Sequence, residues 1–159
     1  MTISVGDKLP DVTLVKPTAD GPEKVQSGDF FKGRMVALFS VPGAFTPTCS
    51  ARHLPGFVEK ADELKAKGVD EIVGTAVNDA FVMGAWNKAA GSDDITMLAD
   101  GNAEFAEAVG LTMDGSGFGL GKRGQRYSML VEDGVVKQLN VEEPGDFSVS
   151  SADHMLGQM

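Results

Sequence analysis

The chain carries a single thiol, Cys49, within Pro42-Gly-Ala-Phe-Thr-Pro-Thr-Cys49. Thr46 is a residue type that caps helices, and Pro47 suits the first helical position, so the spacing places Cys49 in a first helical turn. A sulfur there meets unpaired backbone N–H groups and the positive end of the helix dipole, and both favour thiolate over thiol. A lone cysteine of this kind also fits a buried structural role. The position argues for a reactive thiol and names no reaction.

A lowered pKa alone gives little rate. A thiol of pKa ~8.5 is about 3% ionised at neutral pH, so full ionisation gains at most ~30-fold. A drop of ~2.5 units returns roughly tenfold of that through lost nucleophilicity. A fast thiol enzyme therefore needs donors aimed at its transition state. In attack on a peroxide, charge moves from sulfur to the departing oxygen. Thr46 Oγ, the Cys49 N–H and a guanidinium are the right donor types. Arg34, Arg52, Arg123 and Arg126 are present, and spacing does not choose among them.

The elements that must hold these groups follow from periodicity. Residues 35–41 (MVALFSV) and 71–77 (EIVGTAV) are continuous apolar runs suited to strands buried on both faces. Residues 12–15 and 96–98 read as short strands. A helix over 47–67 follows from Leu54, Phe57, Val58, Ala61 and Leu64, with a kink expected at Pro55-Gly56. Asn78 or Asp79 can cap a helix carrying Phe81, Val82, Ala85, Trp86 and Ala89, and residues 103–109 form another. Residues 127–131 and 135–141 flank Asp133-Gly134, a type I′ hairpin signal. A short helix near the C-terminus completes the pattern. The order predicts a mixed α/β sheet, compatible with a thioredoxin-like sandwich and shared by other mixed folds.

Pro42-x-x-x-Thr46-x-x-Cys49 matches the PxxxTxxC motif of peroxiredoxins, and PGAFTPTCSxxHLPGF resembles the peroxiredoxin-5 group, which includes the plant type II enzymes. The segments beginning at Val77, Leu98, Arg126 and Val131 are similar to that group in order and spacing, so the likeness covers nearly the whole chain. The resemblance implies a thioredoxin-like three-layer sandwich with a mixed central sheet. It implies that Cys49 is the peroxidatic cysteine, Thr46 the hydroxyl on peroxide and thiolate, Pro42 the shield over the sulfur, and Arg126 the family's guanidinium. Many members carry a resolving cysteine near the segment Phe147-Ser-Val-Ser-Ser; this chain has none there. It resembles one-cysteine members that depend on glutathione, glutaredoxin or another external thiol such as thioredoxin. A homodimer is expected by the same analogy.

Other signals are weaker. Gly119-Leu-Gly-Lys-Arg-Gly124 satisfies GxGxxG, but a strand follows it where a dinucleotide site needs a helix. A loop delivering Arg126 is the better reading. His53, four residues after Cys49, suits helix packing better than a Cys–His pair. His154 lacks partners at metal-ligand spacing, and no metal or cofactor is expected. Phe45 and Phe118, on glycine-rich loops, are candidate apolar walls for alkyl hydroperoxides.

Composition fits one domain over residues 1–159: 42% hydrophobic, 23% charged. The net charge of −9 disfavours nucleic acid and anionic membrane surfaces. One cysteine excludes an internal disulfide and CxxC chemistry. Neither a signal-peptide pattern nor an apolar run of membrane-spanning length appears, so a cytoplasmic protein is expected. The sequence predicts a thiol peroxidase acting on hydrogen peroxide and organic hydroperoxides. The alternatives are a monothiol disulfide oxidoreductase and a non-catalytic redox sensor or holdase.

Overall fold

The computed structural model describes residues 2–47 and 52–159. The chain begins with a hairpin, β1 (Thr13–Thr18) and β2 (Gly21–Gln26), followed by α1 (Ser27–Phe31) and β3 (Met35–Ser40). Then come α2 (Leu54–Glu59), α3 (Ala61–Ala66), β4 (Glu71–Ala76), α4 (Ala80–Ala90), β5 (Ile95–Ala99) and α5 (Glu104–Val109). A small hairpin, β6 (Thr112–Asp114) and β7 (Lys122–Gly124), precedes β8 (Tyr127–Glu132), β9 (Val135–Val141) and α6 (Ala152–Gly157).

Seven strands form one mixed sheet in the order β2-β1-β5-β4-β3-β8-β9. The apolar runs predicted as strands are its centre: β3 is parallel to β4, β4 is parallel to β5, and β8 lies antiparallel to β3 with Ser40 opposite Tyr127. Their side chains feed two separate cores. On one face Phe39, Ile72 and Met97 pack under α2, α3, α4 and α6 through Leu54, Phe57, Leu64, Trp86 and Met155. On the other, Leu38, Val73, Leu98 and Met129 meet Phe31, Phe105 and Val109 of α1 and α5. Helix, sheet and helix thus form the three-layer, thioredoxin-like α/β sandwich. Among the described residues no helix is long and apolar enough to cross a membrane.

Local chemistry sets the ends of these elements. The Asp79 carboxylate accepts from Val82 N at 2.8 Å and starts α4; Gly91, at φ 62°, ends it. The Asp133-Gly134 turn has φ of 50° and 77°, both positive as a type I′ turn requires, and seats Glu132 opposite Val135. The structure corrects the long helix expected over residues 47–67. Its described part is a π turn at Arg52-His53 followed by α2 and α3, which are separated at Lys60. Pro55 falls in the first turn of α2, directly after the π turn and with His53 already in the right-handed helical conformation, so its missing N–H lies where the helical path changes from π to α.

Candidate active site

Beyond β3 the chain leaves the sheet as the loop 42–46, held by two neighbours and by a bond within the loop. Ala44 N donates to Asn78 Oδ1 at 2.9 Å. Arg123, on β7, donates from Nη1 to Pro42 O at 3.4 Å and to Val77 O at 3.2 Å, and from Nε to Leu120 O at 2.9 Å. Thr46 Oγ1 donates to Gly43 O at 2.7 Å, closing the loop on itself. Gly43 has no room to spare: a Cβ there would lie 3.2 Å from Thr46 Cγ2 and 3.4 Å from Arg123 Nη1. Phe45 takes φ 66°, an unusual conformation for a bulky residue, and its ring is about half exposed. The helix cap expected of Thr46 and the placement of Cys49 fall on residues 48–51, outside the described residues.

The four arginines separate by position. Arg34 pairs with Glu71 at 2.9 Å, at the end of β3 remote from Pro42. Arg52 lies over the Phe147 ring at 4.6 Å. Arg123 spends its donors on the backbone carbonyls just described. Arg126 reaches His53, with Nη1 donating to Nδ1 at 2.9 Å.

His53 is fully buried among Phe39, Phe57 and Phe147, with ring centroids 5.0 to 5.7 Å away. Burial first, and then the Arg126 charge, push its pKa down to about 3, so it is neutral. Its two partners fix the tautomer: Nδ1 accepts from Arg126, and Nε2–H donates to Ser150 O at 2.9 Å. Ser150 N in turn donates to the Glu142 carboxylate at 2.8 Å, as do Ser148 N at 2.8 Å and Val149 N at 2.9 Å. Burial works to raise the Glu142 pKa, but these bonds and the Ser150 hydroxyl outweigh it and hold the group below its ordinary value. Glu142 N donates to Arg126 O at 3.0 Å. Arg126, Glu142, Ser150 and His53 therefore form a closed ring of hydrogen bonds.

A cavity of about 690 Å³ opens beside this ring. It brings together Pro42, Arg126 and Phe118 of the residues singled out in the sequence; Thr46 and Phe45 are not among its lining residues. Met113 and Pro144 extend its apolar wall. Phe118 ends the 3₁₀ turn Ser116–Phe118 and leaves 87% of its surface exposed. The arrangement offers a partly desolvated guanidinium, held by a neutral acceptor, at the inner end of an apolar cavity. Such a donor suits a small oxygen-rich ligand that acquires negative charge.

The Redoxin family model matches residues 4–156. Chloroplastic Peroxiredoxin-2E-2 of Oryza sativa subsp. japonica is 56% identical, over 98% of this chain and 72% of that protein. Peroxiredoxin-2B of Arabidopsis thaliana is 47% identical, over 97% of this chain and 96% of its own. The chain is a peroxiredoxin of the redoxin family. Among solved structures, this peroxiredoxin is similar to reduced Prx3 in complex with H2O2 from Vibrio vulnificus, with a TM-score of 0.96, 52% identity and 99% of each chain covered. A peroxiredoxin is a thiol-dependent peroxidase, an antioxidant oxidoreductase that takes a peroxide and a thiol reductant.

Several participants were not visible in the sequence. Glu142 reads there as one acid among 23, and Asn78 only as a possible helix cap. Spacing relates His53 only to Cys49 in its own segment, whereas its partner Arg126 lies 73 residues away. No local spacing signals such a pairing.

Proposed function

We propose that this peroxiredoxin reduces hydrogen peroxide and alkyl hydroperoxides through Cys49, with Arg126, Thr46 and Pro42 completing the site. The observation that supports this most is the shared cavity: Pro42, which opens the segment containing the only thiol, and Arg126, far along the chain, line the same space. In the proposed step the Cys49 thiolate attacks the terminal peroxide oxygen. An S–O bond forms, the O–O bond breaks, sulfur is oxidised by two electrons, and water or alcohol leaves once the departing oxygen takes a proton. The Arg126 guanidinium stabilises the charge moving onto that oxygen. The Thr46 hydroxyl orients thiolate and peroxide, and Pro42 screens the sulfur from bulk water.

The product is a Cys49 sulfenic acid, and with one cysteine in the chain its resolution falls to another molecule. An external thiol displaces water to give a mixed disulfide, and a second thiol exchange restores the thiolate. Glutathione with glutaredoxin, or thioredoxin, are the proposed donors. A cytoplasmic setting, which supplies such a reducing pool, is the proposed location.

Peroxide consumption with the glutathione, glutaredoxin and thioredoxin systems offered separately tests this reading. Turnover should require a thiol, and Cys49→Ser should stop it without loss of fold. Sustained turnover by Cys49→Ser, or by the natural chain without any thiol, would overturn the proposal.

A further inference from the structure

The cavity beside Arg126 has an uneven charge distribution. Its inner end holds a single cation, Arg126, and its side wall is apolar. The outer lining holds the carboxylates of Asp114, Glu143 and Asp146, all on exposed residues. Glu142 also lines the cavity, but its charge is met by the N–H groups of residues 148–150. Among the described residues none of the other three is ion-paired to a lysine or arginine. Asp114 accepts from Ser116 N at 2.9 Å and from the Ser116 hydroxyl, neither of which carries a charge, so an incoming molecule passes three carboxylates that no described cation offsets before it meets the positive group.

We propose that this acidic rim makes the peroxide cavity selective for uncharged organic hydroperoxides over those that carry a carboxylate. The inference rests on the peroxidase reading of the cavity. Hydrogen peroxide and neutral alkyl hydroperoxides feel no net force from the rim. A monoanion opposed by three charges about 10 Å away across water is slowed roughly fivefold at low ionic strength, and the effect fades as the screening length falls below that distance. The apolar wall still accepts the hydrocarbon part of either molecule, so the selection acts on charge and not on size.

The test uses cumene hydroperoxide bearing a para-carboxylate and its methyl ester, with hydrogen peroxide alongside. The rate of Cys49 oxidation by each is measured by stopped flow at low salt. The net charge of −9 repels every anion, so two variants of equal charge are compared. One neutralises the rim (D114N/E143Q/D146N); the other neutralises three carboxylates at the far edge of the sheet (D20N/E23Q/D29N). The ester should outrun the acid about fivefold in the natural chain and in the far-edge variant, and by less than twofold in the rim variant. If the triple rim change does not fold, E143Q/D146N on the exposed turn gives the same readout with a smaller change. Equal rates for acid and ester in the natural chain would overturn the filter alone, as would equal ratios in the two variants. Failure to consume any of the three peroxides, hydrogen peroxide included, would overturn the peroxidase reading and the filter with it.

Discussion

Arg126 and His53 meet at 2.9 Å as a charged donor and a neutral acceptor, and the imidazole keeps that role because it is buried. A carboxylate in the same place would neutralise the guanidinium. A neutral acceptor orients the fork without cancelling its charge. His53 is thus a positioning residue for Arg126.

His53→Gln should be much milder than His53→Phe. Glutamine retains an acceptor for Arg126 and a donor for Ser150 O, whereas phenylalanine fits among the three neighbouring rings and supplies neither. Misplacing a transition-state group by an ångström costs on the order of 10²-fold in rate. Stopped-flow oxidation by hydrogen peroxide, at a pH where Cys49 is thiolate in every variant, should show that loss for phenylalanine and substantial rescue by glutamine. Equal rates for the two would mean that Arg126 needs no help from His53.

Acid should destabilise the fold in two stages. The folded-state pKa of His53 is about 3 against the unfolded model value of 6.5, so between those values the unfolded chain binds a proton that the folded chain does not. The contribution of His53 is complete above about pH 6.5 and is lost as pH falls toward 3, with a slope of at most about 1.4 kcal/mol per pH unit. Glu142, depressed below its ordinary value, contributes stability above that value and loses it as pH falls further. Urea midpoints measured from about pH 7 downward should decline first through the histidine window, and His53→Gln should flatten that first decline only.

Arg123→Met should loosen the 42–46 loop from the β4 end by removing donors to Pro42 O, Val77 O and Leu120 O. Hydrogen bonds from a charged group are each worth about 1.5–3 kcal/mol net, so a stability loss of at least that size is expected in urea unfolding. The peroxide reaction should slow about tenfold or more, because the displaced loop carries Pro42 and Thr46. Arg123→Lys should recover part of the rate through one charged donor. A methionine variant that loses stability but keeps the full peroxide rate would make the clamp purely structural.

The central sheet was legible in the sequence because strands buried on both faces must be continuously apolar, as in residues 35–41 and 71–77. The Asp133-Gly134 turn was legible because few residues tolerate two positive φ angles in succession. β2 was missed for the converse reason. It lies at the sheet edge, is largely exposed, and places Pro22 opposite Pro17 of β1, beyond the Val15–Ala99 pair through which β1 meets β5. β6 and β7 were missed because three residues each, next to glycine-rich loops, carry no period. At the site, motif spacing pointed to Pro42, Thr46 and Cys49, and the family likeness chose Arg126. The ring through Glu142, Ser150 and His53 was hidden because two of its bonds join residues 73 and 97 positions apart and three of its four use backbone atoms, which carry no sequence signal.

The ring has one further consequence, for how this enzyme could diversify. Glu142 holds residues 148–150 with its own carboxylate, so residues 143–146 form a handle whose two ends are already tied together. Lengthening such a segment is cheap, about 0.6 kcal/mol per doubling of loop length. Phe147 marks the inner limit, since its ring lies against His53 and under Arg52. Outside that limit the handle carries Glu143 and Asp146, while Arg126 and its acceptor sit on the fixed side. Two carboxylates of the proposed charge filter and the Arg126 side of the site are therefore borne by separable stretches of chain, and mutation can explore the first without endangering the second.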